Sequence, residues 1–329
     1  MNVKWVSMAP GTPEYVNLRD AHWMVKQMEL LLALQRTGEA RLGEEGYLSH
    51  PETTGGFGFS RAITMSAWVG HPDEPEGVFG AKWVSSHPPN TSRGLPRGQA
   101  ITILNCAHTG LPLLVFDGTD LSNARTAGFA IMTILEFCRG VPPPAIALIG
   151  AGRVHEWQAH YINQLWPNTQ LFVYDPDKER AQRFVEQCQQ ANCFDTWQEV
   201  VDVANIVSLA TAGAGQWVPT DVKFDAFLWI NTSLRDVTPG FFNRFKWIVV
   251  DDLEFAASQH TPYHDAWQAQ TTLTPNVTQF SDVNPKLQYK YPIIVNPMGL
   301  ALWDVGLGYA LFQQEFREQR EALLHGHGL

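Results

Sequence analysis

Two groups of residues in this sequence could do chemistry. The first is Ala145-Ile-Ala-Leu-Ile-Gly150-Ala-Gly152-Arg-Val-His155, an apolar run leading straight into Gly-x-Gly and a helical stretch. Gly150 would permit the tight turn. Gly152 would let the backbone approach a diphosphate, which the following helix N-terminus stabilises. No third glycine follows. His155 stands in that place and reads as a helix-packing residue. A second apolar run, Leu171–Tyr174, ends at Asp175, at the distance expected of an acid that binds the ribose hydroxyls of an adenosine. A carboxylate there repels a 2′-phosphate, so the expected cofactor is NAD rather than NADP. The alternative is a tight strand-to-helix turn in a protein that binds no nucleotide.

The second group is ionisable. Lys82 lies in Gly80-Ala-Lys-Trp-Val84, a β-like run of small and apolar residues. It is either a solvated edge-strand lysine or a charge placed on purpose. Arg97 and Arg125 are the accompanying cations. Arg125, in Asn123-Ala-Arg-Thr126, is read as lying in the first turn of a helix, where it opposes the helix dipole and hints at an anionic ligand. A plain surface arginine is the competing account. Asp236 follows an apolar strand, at the end where α/β sheets place ligand groups, and could transfer a proton. Asp251 and Asp252 close the next strand, either as similar groups or as caps. His325 and His327 sit in a Gly-rich terminus without other ligand types nearby, so no metal is expected.

These residues need elements to hold them. Pro13 to Thr37 reads as one helix closed by Gly38. From Gly55 to Gly118 short β-rich runs dominate, with Ile101–Leu104 and Leu113–Phe116 joined by a hairpin-like Cys106–Gly110 connection. Leu121–Arg139 is helical and is stopped by Gly140 and Pro142–Pro144. Strands at Ala145–Ile149, Leu171–Tyr174, Ile206–Ala210, Ala226–Ile230 and Trp247–Val250 then alternate with helical stretches such as Glu179–Gln190. That alternation predicts an α/β fold with a parallel sheet covered on both faces. Leu300 to Leu324 is helical again. Gly56-Phe-Gly58 and Gly213–Gly215 are glycine-rich segments, lids or plain turns.

With 329 residues, 45% hydrophobic and 17% charged, the chain has ordinary globular composition and length for two domains. A net charge of −10 argues against nucleic-acid or anionic-membrane partners. Cys106, Cys138, Cys188 and Cys193 lack CxxC spacing and read as reduced thiols. With no apolar run of membrane-spanning length and no signal-peptide layout, the expected location is cytoplasmic.

The motifs Gly80-Ala-Lys-Trp-Val-Ser-Ser-His-Pro-Pro-Asn90, Arg93-Gly-Leu-Pro96, Leu121-Ser-Asn-Ala-Arg-Thr-Ala127, Leu148-Ile-Gly-Ala-Gly152, and Ile230-Asn231 with Asp236 occur in one order over nearly the whole chain. In this they resemble the ornithine cyclodeaminase/mu-crystallin family. The resemblance implies a homodimer and NAD as cofactor. It also implies a Rossmann domain over 125–300 and a discontinuous α+β substrate-binding and dimerisation domain over 1–124 and 301–329. It makes Lys82 and Asp236 catalytic and gives Arg125 the α-carboxylate, with Met65 also on the substrate side. Thr126, Gly150, Gly152, Arg153, Val154, Asp175, Ala210 and Thr211 would line the cofactor. An arginine pairs bidentately with a carboxylate, and a desolvated lysine can exchange protons with an amine or imine.

Cyclodeaminases carry a further substrate arginine and a glutamate upstream of the lysine. Here the stretch from Glu52 to Met65 offers no matching arginine and has Ile63 where the glutamate is expected, while Arg97 replaces a threonine. Arg97, Thr232-Ser-Leu-Arg-Asp-Val237, Ile248-Val-Val-Asp-Asp252 and Val295-Asn-Pro-Met-Gly-Leu-Ala301 resemble a branch of the family that forms 2,3-diaminopropionate for siderophores and peptide antibiotics. Those enzymes oxidise N-(1-amino-1-carboxy-2-ethyl)-glutamate with NAD. Their substrate has three carboxylates, and Arg97 would hold one of them. The competing expectations are an ornithine or lysine cyclodeaminase, a cyclic imine reductase, and a mu-crystallin-like nicotinamide-binding protein without efficient turnover.

Overall fold

The computed structural model describes residues 3–49, 60–71, 74–212, 215–268, 276–284 and 291–326. Gly56-Phe-Gly58, part of Gly213–Gly215, His327 and the His325 side chain lie outside the described residues. The chain forms two compact units, Met1–Arg125 with Leu300–Leu329, and Thr126–Gly299.

The first unit opens with β1 (Lys4–Val6), α1 (Pro13–Arg19) and α2 (Ala21–Thr37). The single helix expected over 13–37 is therefore two. Asp20 has extended backbone (φ −84°, ψ 112°), and its carboxylate accepts from the His22 and Trp23 N–H groups as the cap of α2. An aspartate that can satisfy two orphan donors competes with helix continuation. Then come β2 (Ala40–Leu42), β3 (Gly46–Ser49), β4 (Arg61–His71), β5 (Glu74–Ser86), β6 (Gly98–Cys106) and β7 (Pro112–Asp117). The two longest, at 11 and 13 residues, replace the short runs expected there.

The strands order as β1-β7-β6-β5-β4-β2, with β3 also on β4. All neighbours are antiparallel except β1 with β7. The expected hairpin is β6–β7, with Ile103 opposite Val115 and Leu104 opposite Leu114. Along β6, Ala100, Thr102, Leu104 and Cys106 are buried while Ile101 and Ile103 are exposed, the period-2 pattern of a sheet with one covered face. α3 (Thr119–Cys138) follows and carries the chain into the second unit.

There β8 (Ala145–Ile149), α4 (Arg153–Leu165), β9 (Gln170–Tyr174), α5 (Lys178–Glu186), β10 (Ala191–Cys193), α6 (Trp197–Val203), β11 (Ile206–Leu209), β12 (Leu228–Asn231), β13 (Trp247–Val250), α7 (Leu253–Ser258), α8 (Pro262–Gln268), β14 (Asn276–Gln279) and β15 (Ile293–Asn296) build an eight-stranded sheet. Its order is β10-β9-β8-β11-β12-β15-β13-β14 and every pairing is parallel. This is a Rossmann-type sheet. The chain winds outward from β8 in both directions, so the crevice for a ligand lies at the carboxyl ends of β8 and β11. Four of the five strands that the sequence marks out, β8, β11, β12 and β13, are fully or largely buried, as parallel strands covered on both faces must be.

The C-terminal segment returns to the first unit as α9 (Ala301–Leu311) and α10 (Gln313–Gly326). α9 is buried almost all round and packs on β4, β5, β6 and α2. Gly306 makes the close approach possible, since a Cβ there would come within 2.2 Å of the Leu31 side chain.

Candidate active site

In the first unit the site is built on the covered face of β5. Lys82 lies opposite Met65 of β4 and Thr102 of β6, in the middle of the sheet rather than at its edge. It is 1% exposed. Its Nζ donates to Asp304 Oδ2 at 2.7 Å and to Ser122 Oγ at 3.4 Å. The Nε of Arg125 lies 3.3 Å from the same Asp304 oxygen. Two cations therefore share one buried carboxylate. Burial, reinforced by the Arg125 charge, lowers the Lys82 pKa to about 8, against the opposing pull of Asp304 and Glu45. A lysine so tuned can give up or take a proton near physiological pH.

The structure corrects the placement of Arg125. α3 begins at Thr119, so Arg125 lies beyond its first turn, and the dipole argument for an anionic ligand does not apply. What marks Arg125 is its burial beside Lys82 and Asp304. Its contact with Asp304 runs through Nε, so Asp304 does not engage the end-on edge of the guanidinium, one of the two that fit a carboxylate bidentately.

Two residues of this unit escaped the sequence reading. Asp304 is the single charged residue of α9, and a lone acid in an otherwise apolar helix was the available signal. Arg61, at the start of β4, lies within the stretch read as lacking a substrate arginine. It pairs in register with Ser86, which pairs with Gly98, the neighbour of Arg97. Burial and the Arg61 charge both lower the pKa of Arg97, whose Nε is buried without a hydrogen-bond partner.

In the second unit, Gly150 has φ +104°, and a Cβ there would come within 2.6 Å of the Ala210 carbonyl oxygen. Only glycine fits this turn. At Gly152 a Cβ would meet nothing within 4 Å, and as the N-cap of α4 this residue supplies no side-chain hydrogen bond. An N-cap without a side chain, beside open space at the start of a 13-residue helix, fits a diphosphate. Asp175 ends β9 as expected. One of its oxygens accepts from the Ala151 N–H at 2.8 Å and the other from the Asp177 N–H at 2.9 Å, so it clamps the turn while remaining 7% exposed. Arg180 lies 3.8 Å from it.

His155 is fully buried, hydrogen-bonded to the Gly150 carbonyl and, at 3.0 Å, to Ser208 Oγ. Burial lowers its pKa to about 4, so it is neutral and ties the turn to β11. Arg153 is exposed and pairs with Glu156, and Val154 and Thr126 are half-buried.

Asp236 lies in the loop after β12 and is 1% exposed. It accepts hydrogen bonds from the Thr211 hydroxyl, from Ser233 Oγ and from the Trp217 side chain. Burial raises its pKa, and those hydrogen bonds hold the rise in check. Thr211 and Ala210, at the carboxyl end of β11, are half-buried. Asp251 and Asp252 are structural. The first accepts from the Gly299 N–H at 2.6 Å and the second caps α7. Among the described residues no cluster of His, Cys, Asp or Glu could hold a metal ion, and no helix is long and apolar enough to cross a membrane.

The model of the ornithine cyclodeaminase/mu-crystallin family matches residues 68–221. The chain is 25% identical over 279 residues to the N-((2S)-2-amino-2-carboxyethyl)-L-glutamate dehydrogenase of Staphylococcus aureus, covering 77% of this chain and 79% of that one. Among solved structures it is similar to CmnK, with a TM-score of 0.80, 22% identity, and 98% and 96% of the two chains covered. It is also similar to an archaeal alanine dehydrogenase dimer with bound NAD, with a TM-score of 0.77, 20% identity and 97% of each chain covered. The resemblance drawn from the motifs is borne out, and with it the reading of an oxidoreductase of this kind.

Proposed function

We propose that this chain works as its likeness to the ornithine cyclodeaminase/mu-crystallin family implies, as an NAD-dependent dehydrogenase that oxidises a Cα–N bond in an amino-acid-type substrate with several carboxylates. The substrate class is that of N-(1-amino-1-carboxy-2-ethyl)-glutamate. NAD+, held at the Gly150–Gly152 turn with its ribose at Asp175, would accept the Cα hydride. Arg125 grips one carboxylate, and Arg97, with Arg61 at its side, another. Lys82 takes the proton released as the secondary amine becomes an imine. Asp236, its proton affinity raised by burial, handles the water that adds to the C=N bond. Cleavage of the C–N bond then yields 2,3-diaminopropionate and 2-oxoglutarate. Per turnover, one substrate, one NAD+ and one water give two products, one NADH and one proton.

The observation that carries this reading is the Lys82–Asp304–Arg125 cluster: a lysine with pKa about 8 and a buried arginine on one shared carboxylate, in a chain whose other unit has an open glycine turn. The test is NADH formation by purified protein offered the glutamate conjugate, ornithine, lysine or alanine, and NADH consumption with pyrroline-2-carboxylate. Release of 2-oxoglutarate from the conjugate supports the assignment. Ammonia with a cyclic imino acid from ornithine would replace it by cyclodeamination, and binding of NADH without turnover of any substrate would reduce the protein to a nucleotide binder.

The homodimer is assigned to the outer face of the first unit's sheet. Phe79, Trp83, Ile101 and Ile103 stand exposed side by side on β5 and β6, at 46%, 45%, 42% and 37%. An apolar patch of this kind marks an association surface. The four cysteines are free, in keeping with a cytoplasmic enzyme.

A further inference from the structure

Asp304 is fully buried on a helix that is otherwise apolar. An ionised carboxylate there would be strongly disfavoured unless paired, and it is paired twice through one oxygen, while Oδ1 has no hydrogen-bond partner. The groups facing Lys82 come from three elements. Asp304 comes from α9, Arg125 from α3, and Glu45 from the β2–β3 connection. Arg125 and burial favour the neutral amine, whereas Asp304 and Glu45 favour the ammonium. Asp304 touches both cations.

We propose that Asp304 is a positioning residue: by holding the Lys82 ammonium and the Arg125 guanidinium on one oxygen, it sets the protonation of the lysine and the seating of the arginine together. The inference rests on Lys82 and Arg125 being the proton-handling and carboxylate-binding groups, but not on which substrate they serve. A carboxylate that merely filled a packing position would leave the titration of Lys82 unchanged.

The test compares full-length wild type with Asp304→Asn, Lys82→Met and the double variant. Thermal midpoints are measured from about pH 6 to pH 10, and the pH profile of kcat/KM is recorded with whichever substrate the wild type oxidises. The Asn variant loses its partnership with a charged lysine. Its deficit in midpoint is therefore largest at low pH, where the wild-type lysine is charged, and narrows as the pH passes about 8. In the Lys82→Met background the same substitution costs an amount independent of pH. In kcat/KM, the limb that titrates with Lys82 moves to lower pH by about one unit or more, and KM for the carboxylate substrate rises.

If Asp304→Asn does not fold, the double variant decides: its folding supports the proposal, and its failure overturns it. A deficit that is flat with pH in both backgrounds, with an unshifted kinetic limb, also overturns it. A wild type that oxidises no amino acid would instead refute the proposed function and leave the midpoint comparison standing.

Discussion

Lys82 Nζ and Asp304 Oδ2 lie 2.7 Å apart, although 222 residues separate them in the chain. The pair joins the central strand of the first unit's sheet to the helix that covers it. Removing either partner leaves the other charge buried, so variants here need a control for folding as well as for catalysis.

Lys82→Met should lower kcat by about 10²- to 10⁴-fold, the usual worth of a positioned acid–base group. NADH affinity should stay as in wild type, because the glycine turn belongs to the other unit. Steady-state kinetics with a fluorescence titration of NADH checks both. Wild-type kcat in the variant would remove Lys82 from the chemistry.

The same lysine makes stability depend on pH. Unfolded, it keeps its proton up to its ordinary value of 10.5, whereas folded it releases it at about 8. Between these values the unfolded chain binds more protons, so stability contributed by this group rises with pH across the window and is lowest below it. Denaturant midpoints from pH 7 to pH 10 should show that rise in wild type and a flatter trend in Lys82→Met. Parallel curves would mean that Lys82 titrates normally.

Replacing Arg97 by Thr should raise KM for a substrate with additional carboxylates by roughly 10- to 100-fold, the value of one charge-assisted hydrogen bond. A simple amino acid should be affected little. Relief of the Arg61 repulsion should make the variant no less stable than wild type. Equal effects on both substrates would remove Arg97 from carboxylate recognition.

The two glycines of the turn should fail differently. Gly150→Ala places a side chain at φ +104° and against the Ala210 carbonyl, so both stability and NADH binding suffer. Gly152→Ala meets no protein atom and should melt like wild type, while its methyl intrudes on the diphosphate and weakens NADH binding. Thermal melts and NADH titrations of the two proteins separate strain from ligand contact. Unaltered NADH binding in both would argue against a nucleotide at this turn.

The glycine turn was legible because its signals are local. β8, Gly150, Gly152, α4, β9 and Asp175 follow one another within about thirty residues of a βαβ unit. Lys82, Arg97 and Arg125 stood out as charges among apolar or motif residues. The break at Asp20 was missed because helical periodicity continues across it, and only the capping ability of the aspartate betrays it. β14 was missed because Val277 is its one apolar residue, so no apolar run marks it, and β15, a short apolar run, was passed over. Asp304 was missed because the need for it arises in β5, and nothing in the local pattern of α9 says which distant lysine it serves. Charge balance in a core is settled between elements, so a scan along the chain sees only half of each pair.

The return of α9 to the first unit orders events during synthesis. β5 and α3 leave the ribosome early, carrying two cations whose shared acid does not yet exist, and the whole second unit is made before Asp304 appears. Of the two units, the one begun first is thus completed last. A nascent chain halted at Gly299 would hold a complete parallel sheet, while the sheet of the first unit would still lack α9 and its lysine would lack the Asp304 carboxylate.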